Sequence, residues 1–545
     1  MTAFAGTGRL LRLALRRDRI RLAVWLAVML IVWVAFVSEL AVLADEGTLA
    51  DRALILRSPA MIMMTGPGYG LDDYTLGVAL VAETTLWVAA ALAVLSILEV
   101  VRHTRAEEES GRAELLRAAP VGRHAPAAAA LLLVVLVQAA IAAGSTAVIV
   151  GVGGVALPDT LALTGGLGLV GLVFAGVALA AAQLVEHART ATGLALAVFG
   201  AAFALRAIGD AQQSPATGSD ETSWLSWLSP IAWVQQTRAF VDLRLWPLGL
   251  LVAAAAVALL AAFGLATRRD FGAGIVPSRP GHAHASILLA SPLGLAWRAQ
   301  RIGLMWTALG LGLVWLGSGT VMGSLGDLHD MLQRNPLYAA VLGSDLVNGF
   351  FALLVLLAAL GATAWGIASI GRLRAEEASG RTEAVLATHV SRARWLGGQL
   401  ALSAAGAAVL VMSAAALLWL GAEASGAEDL PGAGELLAFG AAFLPATAVA
   451  LGLAAAAHAW LPRLAWLAWL PVLWGVVVGM FADLFDLPDA VRALSPFWWT
   501  PDPLTGTGAA DDQVAAAPAL WGLSAVAAAL AALAFWGFRR RDVPA

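Results

Sequence analysis

Long apolar runs separated by short polar loops fill most of the chain. A helix needs roughly 20 apolar residues to cross the hydrocarbon core of a bilayer, and such runs occur repeatedly. The predicted spans are 22–43, 78–101, 125–152, 160–185, 190–208, 246–267, 302–322, 348–371, 395–421, 435–459, 464–484 and 518–538. Apolar residues are continuous within each run, which is typical of helices and not of a barrel. The pattern therefore predicts an all-α polytopic membrane protein with about 12 transmembrane helices.

Charge alternates in sign from one predicted loop to the next. Loops 102–124, 268–301 and 372–394 are rich in arginine, and the loops on the opposite side are acidic. The acidic residues include Asp45, Asp72, Asp73, Asp210, Asp220, Asp327, Asp330, Glu423, Glu428, Asp429, Asp511 and Asp512. Cytoplasmic loops retain positive charge. We therefore expect a multi-pass protein of the bacterial inner (cell) membrane with both termini in the cytoplasm.

A charged motif occurs after the second predicted span of each half of the chain. Motif 1 (residues 105–123) reads RAEEESGRAELLRAAPVGR, and motif 2 (residues 374–392) reads RAEEASGRTEAVLATHVSR, aligned without a gap. Weaker matches keep the same order, as in LSPIAW at 228–233 and LSPFWW at 494–499. Matches in register predict an internal duplication, with two parallel six-helix repeats related by an axis along the membrane normal.

The duplication defines the predicted domains. Residues 1–267 form the first six-helix half, residues 268–292 a cytoplasmic linker rich in Gly, Pro and His, and residues 293–545 the second half.

Composition narrows the possible chemistry. The chain is 60% hydrophobic and 13% charged, with a net charge of −4 and a mean hydropathy of +0.81. It contains no cysteine, which excludes disulfides and thiolate metal sites. It also contains no lysine, so all 33 basic residues are arginine. A P-loop ATPase needs a lysine that reaches the β- and γ-phosphates. Any ATP must therefore be hydrolysed on another subunit.

The repeated motifs hold the strongest candidate for a functional site. Arginine alone satisfies the positive-inside rule, so a plain solvated loop leaves the paired glutamates unexplained. A Ser-Gly pair between helix-forming stretches predicts a short helix-turn-helix at the membrane surface. Its carboxylates and guanidinium groups would fix the register of a protein partner. Two copies in one chain predict two equivalent docking sites and hence a two-fold partner.

The pattern E-E-x-S-G-R-x-E-x-x-x-A-x-x-V-x-R resembles the coupling helix of ABC-2-type exporter permeases. The fused two-half layout most resembles actinobacterial exporter permeases for polyketide antibiotics, the tetronasin-resistance type. The resemblance implies a set of ATPase-facing residues: Glu107, Glu108, Gly111, Arg112, Glu114, Glu376, Glu377, Gly380, Arg381 and Glu383. Stretches 8–21 and 290–301 are similar to the family's interfacial connecting helices, or are simple basic flanks that anchor a span. The Trp-rich segments 223–240 and 494–504 resemble its re-entrant outer helices, although an interfacial aromatic belt explains them as well.

The resemblance implies a permease subunit that exports lipophilic compounds such as antibiotics or drugs. Its partners would be two copies of a separate ABC ATP-binding subunit, membrane lipid and a lipophilic small-molecule substrate, with no nucleic acid. No cofactor is expected in this chain, since ATP and Mg would bind the ATPase subunits. Metal-ligand spacings and nucleophile motifs are absent from the sequence, so no metal site, catalytic residue or enzyme activity is predicted.

Two alternatives remain open at this stage. An ion-gradient-driven secondary transporter would need charged groups at mid-bilayer, and the predicted span centres are almost uncharged. A non-transporting sensor or scaffold would bind a partner without substrate-stimulated ATP turnover. Ionisable residues lie nearer the predicted span ends, where we expect each to reach the membrane interface: Glu39, Glu83, Glu99, Arg206 and His458.

Overall fold

The computed structural model describes residues 2–45, 49–57, 61–62, 65–117, 119–211, 223–277, 284, 286–320, 322, 346–427, 430–482, 487–502, 504 and 513–541. Within these ranges the regular structure is helical, without strands. Twelve helices there are long and apolar enough to cross a membrane. The predicted all-α polytopic class is therefore confirmed. Contacts divide the chain into two compact units, Met1–Gly281 and His282–Ala545.

The first unit contains six candidate spans joined by shorter helices. Its α-helices are α1 (Thr7–Asp45), α2 (Leu49–Leu56), α3 (Leu76–His103), α4 (Arg105–Glu109), α5 (Arg112–Arg117), α6 (Ala125–Gly153), α7 (Leu157–Leu184), α8 (Ala188–Ala211), α9 (Pro230–Gln235) and α10 (Trp246–Thr267). The hydrophobic core forms mainly where α7 packs against α3, α6 and α10. Polar side chains also join these helices. Gln138 donates to Ser96 at 2.9 Å, and the Thr146 and Thr164 hydroxyls lie 2.8 Å apart.

The second unit also contains six candidate spans. Its α-helices are α11 (Pro292–Thr320), α12 (Leu346–Ala378), α13 (Arg381–Leu386), α14 (Arg392–Ala424), α15 (Ala433–Ala442), α16 (Leu444–Trp460), α17 (Leu470–Phe481), α18 (Asp489–Arg492) and α19 (Gln513–Arg540). The main helix pairs are α11 with α14, α16 with α19, and α12 with α14. The Thr363 and Thr447 hydroxyls, 3.0 Å apart, form a buried link between α12 and α16.

The first span of each unit is longer than the apolar run that predicts it. The basic stretch 8–21 belongs to α1, and most of 290–301 belongs to α11. Neither stretch forms a separate interfacial connecting helix, in contrast to the family resemblance. The reason is that arginine, leucine and alanine are all good helix formers. The apolar run ends at the lipid boundary, and so does the span predicted from it. The helix continues beyond that boundary because its backbone hydrogen bonds do not depend on apolar side chains.

The Trp-rich segments before the last spans form short helices. Residues Ser226–Leu228 and Pro496–Trp499 are 3₁₀ turns, and α9 begins directly after Ser229. The Ser229 hydroxyl caps α9 by accepting the N–H of Ile231. These segments match the expected short outer helices in secondary structure. Asp220, Asp327, Asp330, Glu428, Asp429, Asp511 and Asp512 lie outside the described residues.

Candidate functional site

Both motifs bend at a glycine in the left-handed region. Gly111 and Gly380 each have φ of +73°, a conformation that strains any residue with a Cβ. The N–H of Gly111 donates to the Glu108 carbonyl at 3.1 Å, and Gly380 donates to that of Glu377 at 3.0 Å. Such bonds satisfy carbonyls that a helix end otherwise leaves without a partner. In both units, the predicted helix-turn-helix is present at the Ser-Gly pair.

The approach to the turn differs between the units. In the first unit, the chain breaks at Thr104 (φ −122°, ψ −86°) before α4 begins. In the second unit, α12 continues without a break to Ala378. The Thr104 hydroxyl donates to the carbonyl of Val100 at 2.6 Å, which is an alternative to regular helix continuation. The motif therefore sits on a separate helix in one unit and on an extended span in the other.

The first glutamate of each pair holds the arginine that follows the glycine. Arg112 binds Glu107 with two bonds of 2.9 and 3.2 Å, and Arg381 binds Glu376 with two bonds of 2.6 and 3.1 Å. These bonds and the negative charge of Glu376 raise the pKa of Arg381 above its ordinary value. Bidentate pairing fixes the planes of both groups. The arginine after the glycine thus clamps the turn in both units, and in the first unit Arg17 of α1 adds a further bond to Glu107 at 2.6 Å.

The tips of the motifs are open to solvent. Gly111, Gly380, Glu114 and Glu383 are exposed, and so are the clamped arginines, with Arg112 and Arg381 side chains 53% and 62% accessible. Leu115 is 76% exposed beside Glu114. The tips therefore present carboxylate, guanidinium and, in the first unit, an apolar side chain to their surroundings.

The second glutamate of motif 1 faces the opposite way, into its unit. Arg269, just beyond α10, binds both oxygens of Glu108 at 2.8 and 2.5 Å. The same guanidinium donates to the Gln183 side chain, at the end of α7, at 2.7 Å. Arg105 adds a further bond to Glu108 at 2.8 Å. Motif 1 is thereby tied to the ends of the fourth and sixth spans.

Motif 2 is anchored by an equivalent set of groups. Arg541, just beyond α19, donates to Glu377 at 2.7 Å, and the His458 ring nitrogen lies 3.1 Å from the other carboxylate oxygen. Arg541 also donates to the His458 backbone carbonyl at 2.9 Å. His458 lies near the end of α16, which belongs to the fourth span. We call each anchor a latch: the first is Glu108–Arg269–Gln183, and the second is Glu377–Arg541–His458.

Four of the latch residues are missing from the predicted site. Arg269 and Arg541 follow the last predicted span of each half, Gln183 lies inside a predicted span, and His458 is one of the ionisable residues near a predicted span end. A signal does exist in the sequence. The tripeptide RRD occurs at 268–270 and 540–542, and AAAQ at 180–183 matches AAAH at 455–458. These two further matches between the repeats place the latch partners of the two units at corresponding positions.

The first unit has a second charged cluster, between α1 and α3. His103 Nε2 lies 2.6 Å from Asp18 and 3.5 Å from Glu99, with all three side chains nearly buried. The ligand atoms of Asp18, Glu99 and His103 lie within 4.8 Å of one another, close enough to hold a cation. Arg102 and Arg21, however, lie 2.8 and 3.1 Å from the two carboxylates and balance their charge. The cluster therefore acts as a charged link that holds α1 against α3.

Several ionisable groups near span ends pair with charged groups inside their own unit. Arg206 and Asp210 are both fully buried, paired at 3.2 Å, and Ser226 donates to Asp210 at 2.6 Å. Glu83 accepts two bonds from Arg52 at 2.9 and 2.6 Å. Arg206, Glu83, Glu99 and His458 each have a charged partner inside their own unit. That these groups reach a membrane interface stays a prediction.

The twelve candidate spans of the described residues, with a charged motif repeated in two units, define a multi-pass membrane protein. The family model for "Multidrug efflux system permease Rv1217c, C-terminal domain" matches residues 8–269 and 289–539. A relative, "Multidrug efflux system permease protein Rv1217c" of Mycobacterium tuberculosis (strain ATCC 25618 / H37Rv), is 38% identical over 565 residues, covering 99% of this chain and 96% of that protein. The chain belongs to this family of multidrug efflux system permeases.

Proposed function

We propose that this chain is the membrane subunit of an ABC-2-type exporter, driven by separate ATPase subunits. The observation that carries the proposal is the pair of clamped, solvent-exposed motif tips in a chain without lysine. A surface that displays fixed charges suits a protein partner, because charge complementarity sets register and orientation. ATP and Mg would bind the partner, since this chain cannot supply a P-loop lysine.

The proposal assigns one docking site to each motif. Residues 1–267 and 293–545 would be the two six-helix halves, joined by the linker 268–292, with both termini in the cytoplasm. Two copies of an ABC ATP-binding subunit would then engage Glu114 and Arg112 on one half, and Glu383 and Arg381 on the other. Closure of the ATPase pair would move both motifs and rock the halves by alternating access.

For the substrate, we propose lipophilic compounds such as antibiotics or drugs. Support comes from the relative's printed description as a multidrug efflux permease and from the apolar character of the spans. Within the ABC-2 type, the fused layout favours the polyketide antibiotic (tetronasin-resistance) group.

The test reverses charge at the two tips together. In the Glu114→Arg/Glu383→Arg variant, we expect copurification of the companion ATPase from native membranes to fall by roughly tenfold or more, because like charges then face each other. ATP-dependent accumulation of a lipophilic fluorescent dye in inside-out vesicles should fall with it. Membrane insertion should be unchanged, since both side chains are exposed.

The matched control is Glu423→Arg, an exposed glutamate at the far end of α14 from motif 2. It should leave copurification and dye uptake at the wild-type level. Full ATPase binding by the double variant would contradict docking at the tips. Dye movement by the purified wild-type chain alone, driven by an ion gradient without nucleotide, would show that the chain is a secondary transporter. ATPase binding without dye movement would indicate a scaffold.

A further inference from the structure

We infer that Glu108 and Glu377 are positioning residues that transmit motion, and that they do not contact the partner. The inference rests on the proposed function, and it divides the two adjacent glutamates of each motif between two tasks. The first glutamate clamps the exposed turn, and in the first unit it also binds Arg17 of α1. The second glutamate joins that turn to the ends of the fourth and sixth spans through the latch.

Burial separates the second glutamates from the tips, whereas the first glutamate of motif 1, Glu107, is as buried as Glu108, at 12% exposed. The Glu377 side chain is 5% exposed and that of Glu108 is 14% exposed, whereas Glu114 and Glu383 lie open to solvent. A partner on the surface would reach the tips first. Every carboxylate oxygen of the second glutamates already accepts a hydrogen bond or lies against the His458 ring. Little bonding capacity is therefore left for a partner.

The architecture explains what a latch does. Two rigid elements move together only if contacts between them survive the motion, and short charge-assisted bonds in a partly dry site are the strongest polar contacts available. Each latch joins a motif that follows or ends the second span to the ends of the fourth and sixth. A force applied at a tip would therefore act on three spans together. Without the latch, the motif could tilt while the spans stayed in place.

The duplication gives independent support. Latch partners are separated by 161 residues in the first unit and 164 in the second, and each occupies a corresponding position of the repeat. The polar side chain at the end of the fourth span has changed from Gln183 to His458, yet both remain within the network. The same three positions thus meet twice, with the Gln183 side chain bound to the arginine in one latch and the His458 ring beside the glutamate in the other.

The experiment compares single and paired charge reversals. Glu108→Arg and Glu377→Arg should each lower dye transport per ATP hydrolysed by roughly tenfold, while ATPase copurification stays near the wild-type level. The swaps Glu108→Arg/Arg269→Glu and Glu377→Arg/Arg541→Glu should recover most of the coupling, because they restore the ion pair with its direction reversed. Neutral Glu108→Gln and Glu377→Gln variants keep the shape and should show the same uncoupling if a reversal prevents folding.

Three other outcomes would each contradict the proposed role of the latch, for different reasons. Loss of ATPase binding in Glu377→Arg, without rescue by Arg541→Glu, would show that this glutamate belongs to the docking surface. A fall in ATP hydrolysis and transport in the same proportion as folded protein would show a purely structural role. Wild-type coupling in both single reversals and in both glutamine variants would also overturn the inference. Failure of the proposed function would appear separately, as a wild-type chain that binds no ATPase.

Discussion

Asp210→Ala is expected to destabilise the first unit by about 3–5 kcal/mol, because it leaves the buried Arg206 charge without its carboxylate. Both partners are fully buried, and Ser226 would lose its acceptor as well. Burying a charge together with its partner costs much less free energy than burying it alone. The measurement is the thermal unfolding of the detergent-solubilised protein, together with the yield of monodisperse protein.

A matched aspartate provides the control. Asp242 pairs with Arg244 at 2.6 Å, but its side chain is 61% exposed. Exposed pairs contribute only about 0–1 kcal/mol, so Asp242→Ala should leave unfolding nearly unchanged. The double variant Arg206→Met/Asp210→Leu removes both charges and should recover much of the loss. Equal destabilisation by the single and double variants would show that packing, and not the loss of the Asp210 carboxylate beside Arg206, decides stability here.

Gly421→Ala is expected to separate α11 from α14 and to lower the stability of the second unit by about 1–3 kcal/mol or more. A Cβ on Gly421 would collide with the Leu316 carbonyl oxygen, and one on Gly319 would lie 2.9 Å from the Gly421 Cα. Small residues let helix backbones approach closely within a membrane. A backbone carbonyl in a helix cannot move aside as a flexible side chain would. Thermal unfolding of the solubilised protein measures the effect.

Gly310, also on α11, is the control for this substitution. A Cβ there meets no atom within 4 Å, and alanine favours a helix over glycine by roughly 0.5–1 kcal/mol. Gly310→Ala should therefore be neutral or slightly stabilising. Unfolding of Gly421→Ala at the wild-type temperature would mean that the two helices are free to move apart without loss of stability.

Hydropathy alone predicts the location of all twelve spans, because a membrane demands continuous apolar helices. The glycine turn is equally predictable, since Ser-Gly between helix formers leaves few backbone choices. Helix length cannot be predicted from hydropathy. Helix α1 begins at Thr7 and α12 ends at Ala378, well beyond the apolar runs. Charged residues continue a helix as readily as apolar ones, so the water boundary and the helix boundary need not coincide.

The orientation of the paired glutamates could not be predicted from the motif alone. Glu107 and Glu108 are adjacent and chemically alike, and their different tasks depend on partners far away in sequence. Arg112 lies within the motif, so its pairing with Glu107 is local. Arg269 reaches Glu108 only because α10 returns to the same end of its unit. Long-range partners of this kind become visible in a sequence only when a second copy repeats them.

Each latch is complete within its own unit, and this has a consequence for descent. A half-length chain would already carry one whole latch, so the latch does not depend on the fusion of the two halves. Once joined, the copies were free to diverge. In register with the repeat, Gln300, Ala368 and Arg372 occupy the positions of Asp18, Glu99 and His103. A fused chain can thus specialise one half in how it holds its first helix while both halves keep the same transmission.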